Sequence, residues 1–226
     1  MFYNRHEAGI LLSEKCKELN VKADMVVAIP RGGVPVGAAL AGQLKIPLEI
    51  IMAKKIGHPI NREYAIGAVG IDTALIMDPR EATREYIQRE IARLQEQIGR
   101  KTKQYRKGRK PFSLTEKKII LVDDGVATGS TMLASLQMLK KLGARQITLA
   151  LPVGPPSTLN QLRNMPEVDQ VICLLEPDSF LGVGAFYTFF EQLSDDEVSL
   201  LLWEANSVKS SGNSGGSKPS DQATFT

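Results

Sequence analysis

The sequence predicts an α/β fold in which a mainly parallel sheet is flanked by helices. Short apolar segments rich in β-branched residues, typical of buried strands, alternate with longer segments of helical periodicity. Two of these strands run directly into glycine-containing turns and then into helices. The chain has 226 residues, of which 43% are hydrophobic and 23% charged, so its composition suits one well-packed globular core.

The first half of the chain supplies two helices and two pairs of strands. Leucines at helical spacing predict the first helix, and a segment rich in Ala and Gly after a glycine turn predicts the second. The stretch from Gly57 to Ala65 has no strong periodicity and is predicted to be a mobile loop. In order, the elements are a helix over residues 7–20, strand Met25–Ile29, helix Val34–Leu44, strand Leu48–Ala53, and a hairpin of Gly67–Ile71 with Ala74–Met77.

The second half begins at Asp78-Pro79 with a long charged helix over residues 80–106. Its apolar residues recur in steps of three and four and form one narrow stripe, which packs against the body or against a second copy: Ile87, Ile91, Leu94 and Ile98. The following elements are strand Ile119–Val122, a helix to Gly143, strand Gln146–Val153, a helix from about Ser157, strand Gln170–Leu175, and a last helix to about Asn206 that a capping box at Ser194 to Glu197 opens.

Residues 1–206 are expected to form a single domain, with a small hood from the chain ends over the sheet edge. Residues 177–190 bring five aromatic side chains to this hood, which suit either stacking on a ligand base or packing in a satellite core: Phe180, Phe186, Tyr187, Phe189 and Phe190. Residues 207–226 are rich in Ser, Gly and Lys and have almost nothing to bury, so they are predicted to be a disordered tail.

Charge and composition argue against several classes of protein. A net charge of +3 is too small to indicate nucleic acid, and the chain has no run of 18 apolar residues and no signal-peptide core. Cys16 and Cys173 are expected to be buried free thiols in a reducing cytoplasm. Seven basic residues between Gly99 and Lys110 are interpreted first as a solvated helix end, with a nucleic-acid patch or help in holding a polyphosphate as alternatives.

The segment Ile119–Thr131 has the pattern of a phosphate site. Its strand ends at two carboxylates, Asp123 and Asp124, and backbone N–H groups at the start of the next helix attract anions. The acids would accept hydrogen bonds from sugar hydroxyls or hold a divalent cation, so the pattern predicts a ligand with a phosphate and a polyol ring. The loop between acids and helix consists of Gly125, Val126, Ala127, Thr128, Gly129, Ser130 and Thr131.

A second anion site is predicted at Pro30-Arg31-Gly32-Gly33, where the first strand ends. Arg31 pairs with phosphate oxygens in a fork, while Gly32 and Gly33 expose backbone N–H groups. Lys54 and Lys55 are predicted to end the next strand at the same sheet edge, where ligands bind in open α/β sheets. Because successive strand residues point to opposite faces, we expect one lysine to face the ligand and prefer Lys55.

The segment Ile119–Thr131 resembles the phosphoribosyl-pyrophosphate (PRPP) motif of the type I phosphoribosyltransferases. A resemblance to a branch of this family without an assigned acceptor extends in patches over residues 1 to about 206, including Ile29–Gly37, Lys54–Pro59 and Glu63–Val69. The resemblance implies a glycosyltransferase of nucleotide metabolism with the type I fold. Its reaction is transfer of ribose 5-phosphate from PRPP to a nitrogenous-base acceptor, with release of pyrophosphate and with Mg²⁺ as cofactor.

The resemblance also implies roles for the candidate residues. Asp123 and Asp124 hold the ribose hydroxyls, directly or through the metal, and Lys55 joins them as a catalytic residue that faces pyrophosphate. Residues 125–131 hold the 5-phosphate. Pyrophosphate is bound by Arg31, Gly32, Gly33 and Lys54. The loop at residues 57–65 corresponds in position to the family's mobile catalytic loop, which closes over the substrate.

Ala127 departs from the 6-oxopurine enzymes of the family, in which an aspartate at this position handles the ring proton of the base. This argues against hypoxanthine or guanine as the acceptor. The alternative function is a regulator that binds PRPP or a nucleotide without significant catalysis. A P-loop hydrolase is disfavoured, since no Gly-x-x-x-x-Gly-Lys-Ser/Thr sequence occurs. The expected partners are PRPP and a small-molecule acceptor, with neither membrane nor nucleic acid, and homo-oligomers are left open.

Overall fold

The computed structural model describes residues 1–62, 64–78 and 80–207. Residues 208–226 of the predicted tail, Glu63 of the predicted loop and Pro79 before the long helix lie outside the described residues. Ser207, predicted as the first residue of the tail, is instead the last residue of a helix. The helices are α1 (Arg5–Glu18), α2 (Gly33–Leu44), α3 (Arg84–Arg106), α4 (Ser130–Lys141), α5 (Pro156–Arg163) and α6 (Asp195–Ser207), with a short 3-10 helix at Val183–Phe186. The strands are β1 (Met25–Ala28), β2 (Leu48–Ile50), β3 (Lys54–Gly57), β4 (Ala65–Val69), β5 (Ala74–Ile76), β6 (Lys118–Val122), β7 (Gln146–Val153) and β8 (Gln170–Leu175).

The central sheet is parallel, with five strands in the order β2-β1-β6-β7-β8 and helices on both faces. This confirms the predicted fold class. Strands β1 and β6 are neighbours in register, with Ala28 opposite Val122 at their carboxyl ends. The turns that follow these two strands therefore meet at one edge of the sheet, at the point where the strand order reverses.

A second, antiparallel sheet of β3, β4 and β5 stands beside the central one. The predicted hairpin is confirmed, but the prediction that Lys54 and Lys55 end the second strand of the parallel sheet is wrong. The two lysines begin β3, where they pair with Val69 and Ala68 of β4. The unpatterned stretch after them is a short connection between β3 and β4, closed by a 2.8 Å hydrogen bond from the His58 amide to the Tyr64 carbonyl.

Helix α3 packs its apolar stripe on this second sheet, so the body of the chain, rather than a second copy, covers the stripe. Its basic end forms ion pairs with the rest of the fold. Glu49 of β2, only 1% exposed, accepts hydrogen bonds from Arg106 Nε at 3.3 Å and Arg109 Nη2 at 3.2 Å. Lys101 pairs with Asp195 at the start of α6. Three of the basic residues are thus tied to carboxylates within the chain.

The two ends of the described chain form the predicted hood. The Phe2 amide donates to the Phe186 carbonyl at 2.8 Å, and the Thr188 amide donates to the Phe2 carbonyl at 2.8 Å. The buried rings of Phe2 and Tyr187 lie 5.3 Å apart. The capping box at the start of α6 is also formed, with the Glu197 amide donating to Ser194 Oγ at 3.2 Å.

Both cysteines are free thiols, as predicted, but only Cys16 is fully buried, and Cys173 is half-buried. Burial raises the pKa of Cys16 to about 11 and the pKa of Cys173 to about 12, so neither is poised as a nucleophile. Within the described ranges, no helix combines the length and the apolar character that a membrane crossing requires.

Candidate active site

Two turns from neighbouring strands pack directly against each other at the carboxyl edge of the sheet. Asp123 and Asp124 follow β6, and the turn of Gly32 and Gly33 follows β1. A Cβ atom at Gly33 would lie 2.8 Å from the Val122 carbonyl oxygen, and a Cβ at Gly32 would overlap the Asp124 carboxylate. Glycine is needed at both positions because the backbone approaches the acid pair so closely. The predicted pyrophosphate turn and the predicted sugar-binding acids are therefore in contact.

The acid pair sits in a desolvated environment. Burial raises the pKa of Asp123 well above its ordinary value, and the charge of Asp124 raises it further. Burial also raises the pKa of Asp124, although the Arg5 guanidinium opposes this shift. The amide of Asp124 donates to Asp123 Oδ1 at 2.9 Å. Two adjacent carboxylates shielded from water are typical of a functional site, since their desolvation and mutual repulsion cost the fold stability.

The hood adds two residues to this site: Arg5, which the sequence did not indicate, and Tyr187, which was expected to stack on a base or pack in a satellite core and instead forms a hydrogen bond here. Arg5, the first residue of α1, donates from Nε to Asp124 Oδ2 at 2.8 Å. The hydroxyl of Tyr187 donates to the Asp124 carbonyl at 2.6 Å. Asp124 is thus fixed from the hood through both its side chain and its main chain. Arg5 lies 119 residues from Asp124 in the sequence, and no local pattern predicts a contact over that separation.

The loop after the acid pair divides into a buried part and an open part. The Val126 amide donates to the Val153 carbonyl at 2.9 Å, and Gly125 is buried beneath Val183 of the hood. The Val126 amide is therefore not available to an anion, so fewer residues than the predicted 125–131 can bind a phosphate. The amides of residues 127–131 have no hydrogen-bond acceptor among the described residues, and the Thr128 and Ser130 hydroxyls lie 2.9 Å apart.

Gly129 caps α4 with a left-handed backbone, at a φ of 74°. This conformation turns the chain sharply into the helix and leaves the first amides of α4 facing outward. The Thr158 hydroxyl of α5 supports the loop from below by donating to the Ala127 carbonyl at 2.7 Å. The open part of the loop, residues 127–131, thus has the arrangement of an anion cradle.

The two lysines differ in their surroundings. Lys55 lines a cleft of about 280 Å³ together with Thr128, Gly129 and Ser130 of the cradle. Lys54 donates from Nζ to Gln97 Oε1 of α3 at 2.9 Å. The structure therefore places Lys55 beside the predicted phosphate loop and ties Lys54 to α3, while the preference for Lys55 as the lysine that faces the ligand stays a prediction. Both lysines border another recess, also of about 280 Å³, beside Ser130 and Thr131.

A second cavity, of about 330 Å³, opens between the acid pair and the hood. It is lined by Arg31 and Gly32 from the β1 turn, by Asp124, and by Arg5 and Phe190 from the hood, with residues 191–193 completing the wall. Arg31 is exposed to this cavity, so its guanidinium can reach an anionic ligand. The cavity lies between the predicted pyrophosphate turn and the aromatic segment that was predicted to stack on an acceptor base or to pack in a satellite core.

The donor set of the acid pair fits a magnesium ion that a ligand shares. The side chains of Asp123 and Asp124 interact with each other, and their carboxylate oxygens suit Mg²⁺. The described residues contain no group of three or more His, Cys, Asp or Glu side chains that could hold a metal. Two carboxylates match the usual Mg²⁺ arrangement, in which phosphate and water oxygens complete the coordination shell.

The chain belongs to the phosphoribosyl transferase family, because the family model for the phosphoribosyl transferase domain matches residues 5–173. Its fold is that of the type I enzymes. The crystal structure of TT1426 from Thermus thermophilus is similar, with a TM-score of 0.83 and 35% sequence identity over 90% of this chain and 98% of that one. "Putative phosphoribosyl transferase Rv0571c" from Mycobacterium tuberculosis is 34% identical over 211 residues.

The alignment with the Mycobacterium tuberculosis protein covers 91% of this chain but 47% of the relative, so this chain spans about half the length of the curated relatives it matches. An amidophosphoribosyltransferase from Rhizobium etli is 28% identical over 147 residues, which cover 65% of this chain and 23% of that protein. The shared part is thus a phosphoribosyl transferase domain that occurs within longer proteins.

Proposed function

We propose that this protein transfers ribose 5-phosphate from PRPP to a nitrogenous base and releases pyrophosphate. The observation that carries the proposal is the packing of the Arg31-Gly32-Gly33 turn against Asp123 and Asp124, with the 127–131 cradle following in the same segment. Two anion-binding turns with an acid pair between them match a ligand that bears a phosphate, a ribose and a pyrophosphate. Membership of the phosphoribosyl transferase family supports the reaction class.

The acid pair would hold the ribose. The carboxylate oxygens of Asp123 and Asp124 can accept hydrogen bonds from the sugar hydroxyls directly, or hold them through a shared Mg²⁺. The cradle of residues 127–131 would fix the 5-phosphate with amides and hydroxyls. Holding both ends of the ribose phosphate orients the anomeric carbon, and such positioning is a large part of catalysis in group transfer.

The leaving pyrophosphate would lie at the Arg31-Gly32-Gly33 turn. Arg31 would neutralise the charge that develops as the bond to the anomeric carbon breaks, and the Gly32 amide would donate to the phosphate oxygens. The Gly33 amide donates to the Ile29 carbonyl at 3.0 Å, so the prediction that it is open to pyrophosphate is wrong. Lys55 would add a positive charge from the side of the cradle. Lys54 would take part only if its bond to Gln97 opened. Bound Mg²⁺, held by Asp123 and Asp124, would supply further charge neutralisation on the phosphates and the sugar oxygens.

We further propose that residues 1–206 act as one unit in this reaction. Asn206 near the end of α6 donates from Nδ2 to the Leu48 carbonyl at 2.9 Å and accepts from the Leu48 amide at 3.2 Å. Helix α6 thereby closes on β2, and the hood from both ends of this unit reaches the acid pair. The acceptor pocket would be the cavity that Phe190 and Arg31 line.

The test is pyrophosphate release from PRPP and Mg²⁺ across a panel of nitrogenous bases, together with calorimetric binding of PRPP. We expect release with at least one base, and we expect hypoxanthine and guanine to be poor acceptors because Ala127 offers no acid–base group. Asp124→Asn should weaken PRPP binding sharply. Binding of PRPP without turnover of any base would favour a PRPP-binding regulator, and absence of PRPP binding would reject both functions.

A further inference from the structure

Arg5 of the hood forms a hydrogen-bonded ion pair with Asp124 and is held in place by three partners. Besides the bond to Asp124, its Nη1 donates to the Glu191 carbonyl at 2.8 Å, and its Cζ lies 3.8 Å from the centroid of the Phe190 ring. The Arg5 and Asp124 side chains are only 12% and 15% exposed. The guanidinium is held against the face of a ring and by two hydrogen bonds, so its position is well defined, unlike that of an arginine in a solvent-exposed ion pair.

This contact changes the charge that the acid pair presents to a ligand. Asp123 and Asp124 bring two carboxylates together, and Arg5 compensates one of them. A fixed positive charge a few ångströms away opposes the entry of a free divalent cation, particularly where water is largely excluded. Arg5 occupies only Oδ2 of Asp124, so the carboxylates can still accept hydrogen bonds from neutral hydroxyl donors.

We propose that Arg5 is a positioning residue that reserves the acid pair for sugar hydroxyls and keeps free divalent cations away from it. A cation enters only together with ligand phosphates, whose negative charge compensates the guanidinium. The sugar half of this inference rests on the proposed function, whereas the exclusion of free cations follows from Arg5 and the acids alone. The first residue of α1 would thereby set the order in which metal and ligand bind.

The experiment titrates the protein with Mn²⁺ alone, which takes the same oxygen ligands as Mg²⁺, and counts the free ion by electron paramagnetic resonance. Arg5→Gln keeps a hydrogen-bond donor but removes the charge. We expect it to bind Mn²⁺ at least about tenfold more tightly than the wild type. Arg5→Lys keeps the charge and should behave like the wild type. In the double variant Arg5→Gln/Asp124→Asn the gain should disappear, since the carboxylate that holds the ion is gone.

The matched control is Arg163→Gln, which removes an arginine from a partly exposed pair with Glu176 far along the chain. It changes net charge equally and should leave Mn²⁺ binding unchanged. An Arg5→Gln protein that binds Mn²⁺ no more tightly than the wild type would overturn the inference. An equal gain in Arg163→Gln would also overturn it, because the effect would then be one of overall charge.

Two further measurements keep the result interpretable. Thermal unfolding reports whether Arg5→Gln folds, and Arg5→Met, which keeps packing on Phe190, replaces it if it does not. PRPP binding by the wild type with Mg²⁺ tests the proposed function separately. Wild-type PRPP binding with unchanged Mn²⁺ affinity in the Arg5 variants would reject the inference alone, whereas increased Mn²⁺ affinity without PRPP binding would reject the proposed function alone.

Discussion

Position 32 leaves no room for a side chain, and this gives a direct test of the contact between the two turns. In Gly32→Ala the new methyl group would overlap the Asp124 carboxylate, so the acid must move. A displacement of about 1 Å at a reacting centre typically costs about a hundredfold, and we expect a loss of that order in PRPP affinity or turnover. Calorimetric titration with PRPP measures the first, and pyrophosphate release measures the second.

The control is Gly42→Ala in the helix that follows this turn, where a Cβ would meet nothing within 4 Å. An alanine is favoured over a glycine in a helix interior by about 0.5–1 kcal/mol, so this variant should be slightly more stable and should bind PRPP normally. Equal PRPP binding by Gly32→Ala and Gly42→Ala would show that the two turns do not depend on each other.

The acid pair should lower the stability of the fold at neutral pH. Burial and the charge of Asp124 raise the pKa of Asp123, so the folded state keeps its proton up to a higher pH than the unfolded state does. Stability from this group is present below the ordinary carboxyl pKa and is lost as the pH rises through the raised pKa. Asp123→Asn should therefore be about 1 kcal/mol more stable than the wild type at neutral pH.

The measurement is urea unfolding at several pH values, with Asp72→Asn, on an exposed turn, as the control for loss of a carboxylate. The stability gain of Asp123→Asn should shrink as the pH falls towards the ordinary carboxyl pKa, because the wild-type acid is then protonated in both states. A gain that is independent of pH would mean that packing, rather than ionisation, separates the two proteins.

Some residues of the candidate site could be predicted from the sequence, and Arg5 could not. Asp123, Asp124 and the Gly32-Gly33 turn were predictable because each follows an apolar strand, and parallel strands end at a common edge. The contact of Arg5 with Asp124 depends on how α1 and the aromatic segment close over that edge. Nothing near Arg5 in the sequence distinguishes it from an ordinary charged residue at the start of a helix.

At the scale of elements, the strands of the parallel sheet were predictable and the second sheet was only partly so. Strands Gln146–Val153 and Gln170–Leu175 have the predicted bounds, since both are mainly apolar runs of strand length. Strand Gln146–Val153 is buried almost throughout, whereas Gln170–Leu175 is the edge strand and is mostly half-buried. The run Leu48–Ala53 continues into Lys54 without a turn residue, so periodicity does not show that the chain leaves one sheet and enters another. The partner of β3 is β4, and that pairing is decided by tertiary packing.

A buried carboxylate of β2, Glu49, connects this strand by hydrogen bonds to the end of α3 and to the segment that follows it. Glu49 accepts from Arg106 and Arg109, from the Phe112 amide at 3.0 Å, and from the Ile50 amide at 2.9 Å. Removing one partner of a buried ion pair typically costs about 3–5 kcal/mol, because the remaining charges lose their compensation. Glu49→Gln keeps the shape and half of the acceptors, so we expect a loss near the lower end of that range in the free energy of unfolding.

Chemical denaturation of Glu49→Gln measures this loss. Glu18→Gln removes the negative charge from an exposed pair with Lys15 and is expected to change stability by less than about 1 kcal/mol. Similar losses in the two variants would mean that the basic end of α3 is held by packing rather than by Glu49.

The candidate site is built from two parts of the molecule, the central sheet and the hood. The sheet carries the acids and the anion turns, while the hood is built from residues distant in the sequence, with the Phe189 amide donating to the Tyr3 carbonyl at 2.9 Å. Arg5 and Tyr187 join the hood to Asp124. A ligand bound at the acid pair should therefore stabilise the hood as well, since binding to the closed form shifts the population towards it.

Hydrogen exchange tests this coupling. On binding PRPP and Mg²⁺, the amides of Phe2, Thr188 and Phe189, which hold the hood together, should exchange more slowly because local opening becomes less favourable. The Asp169 amide, bonded to the Ile147 carbonyl at the opposite edge of the sheet, serves as the reference. In Tyr187→Phe, which lacks the 2.6 Å bond to the Asp124 carbonyl but keeps the ring, the ligand-dependent slowing should be smaller. If bound PRPP left the hood amides unchanged in the wild type, the hood and the sheet would be independent, and the acceptor pocket would have to be sought away from Phe190.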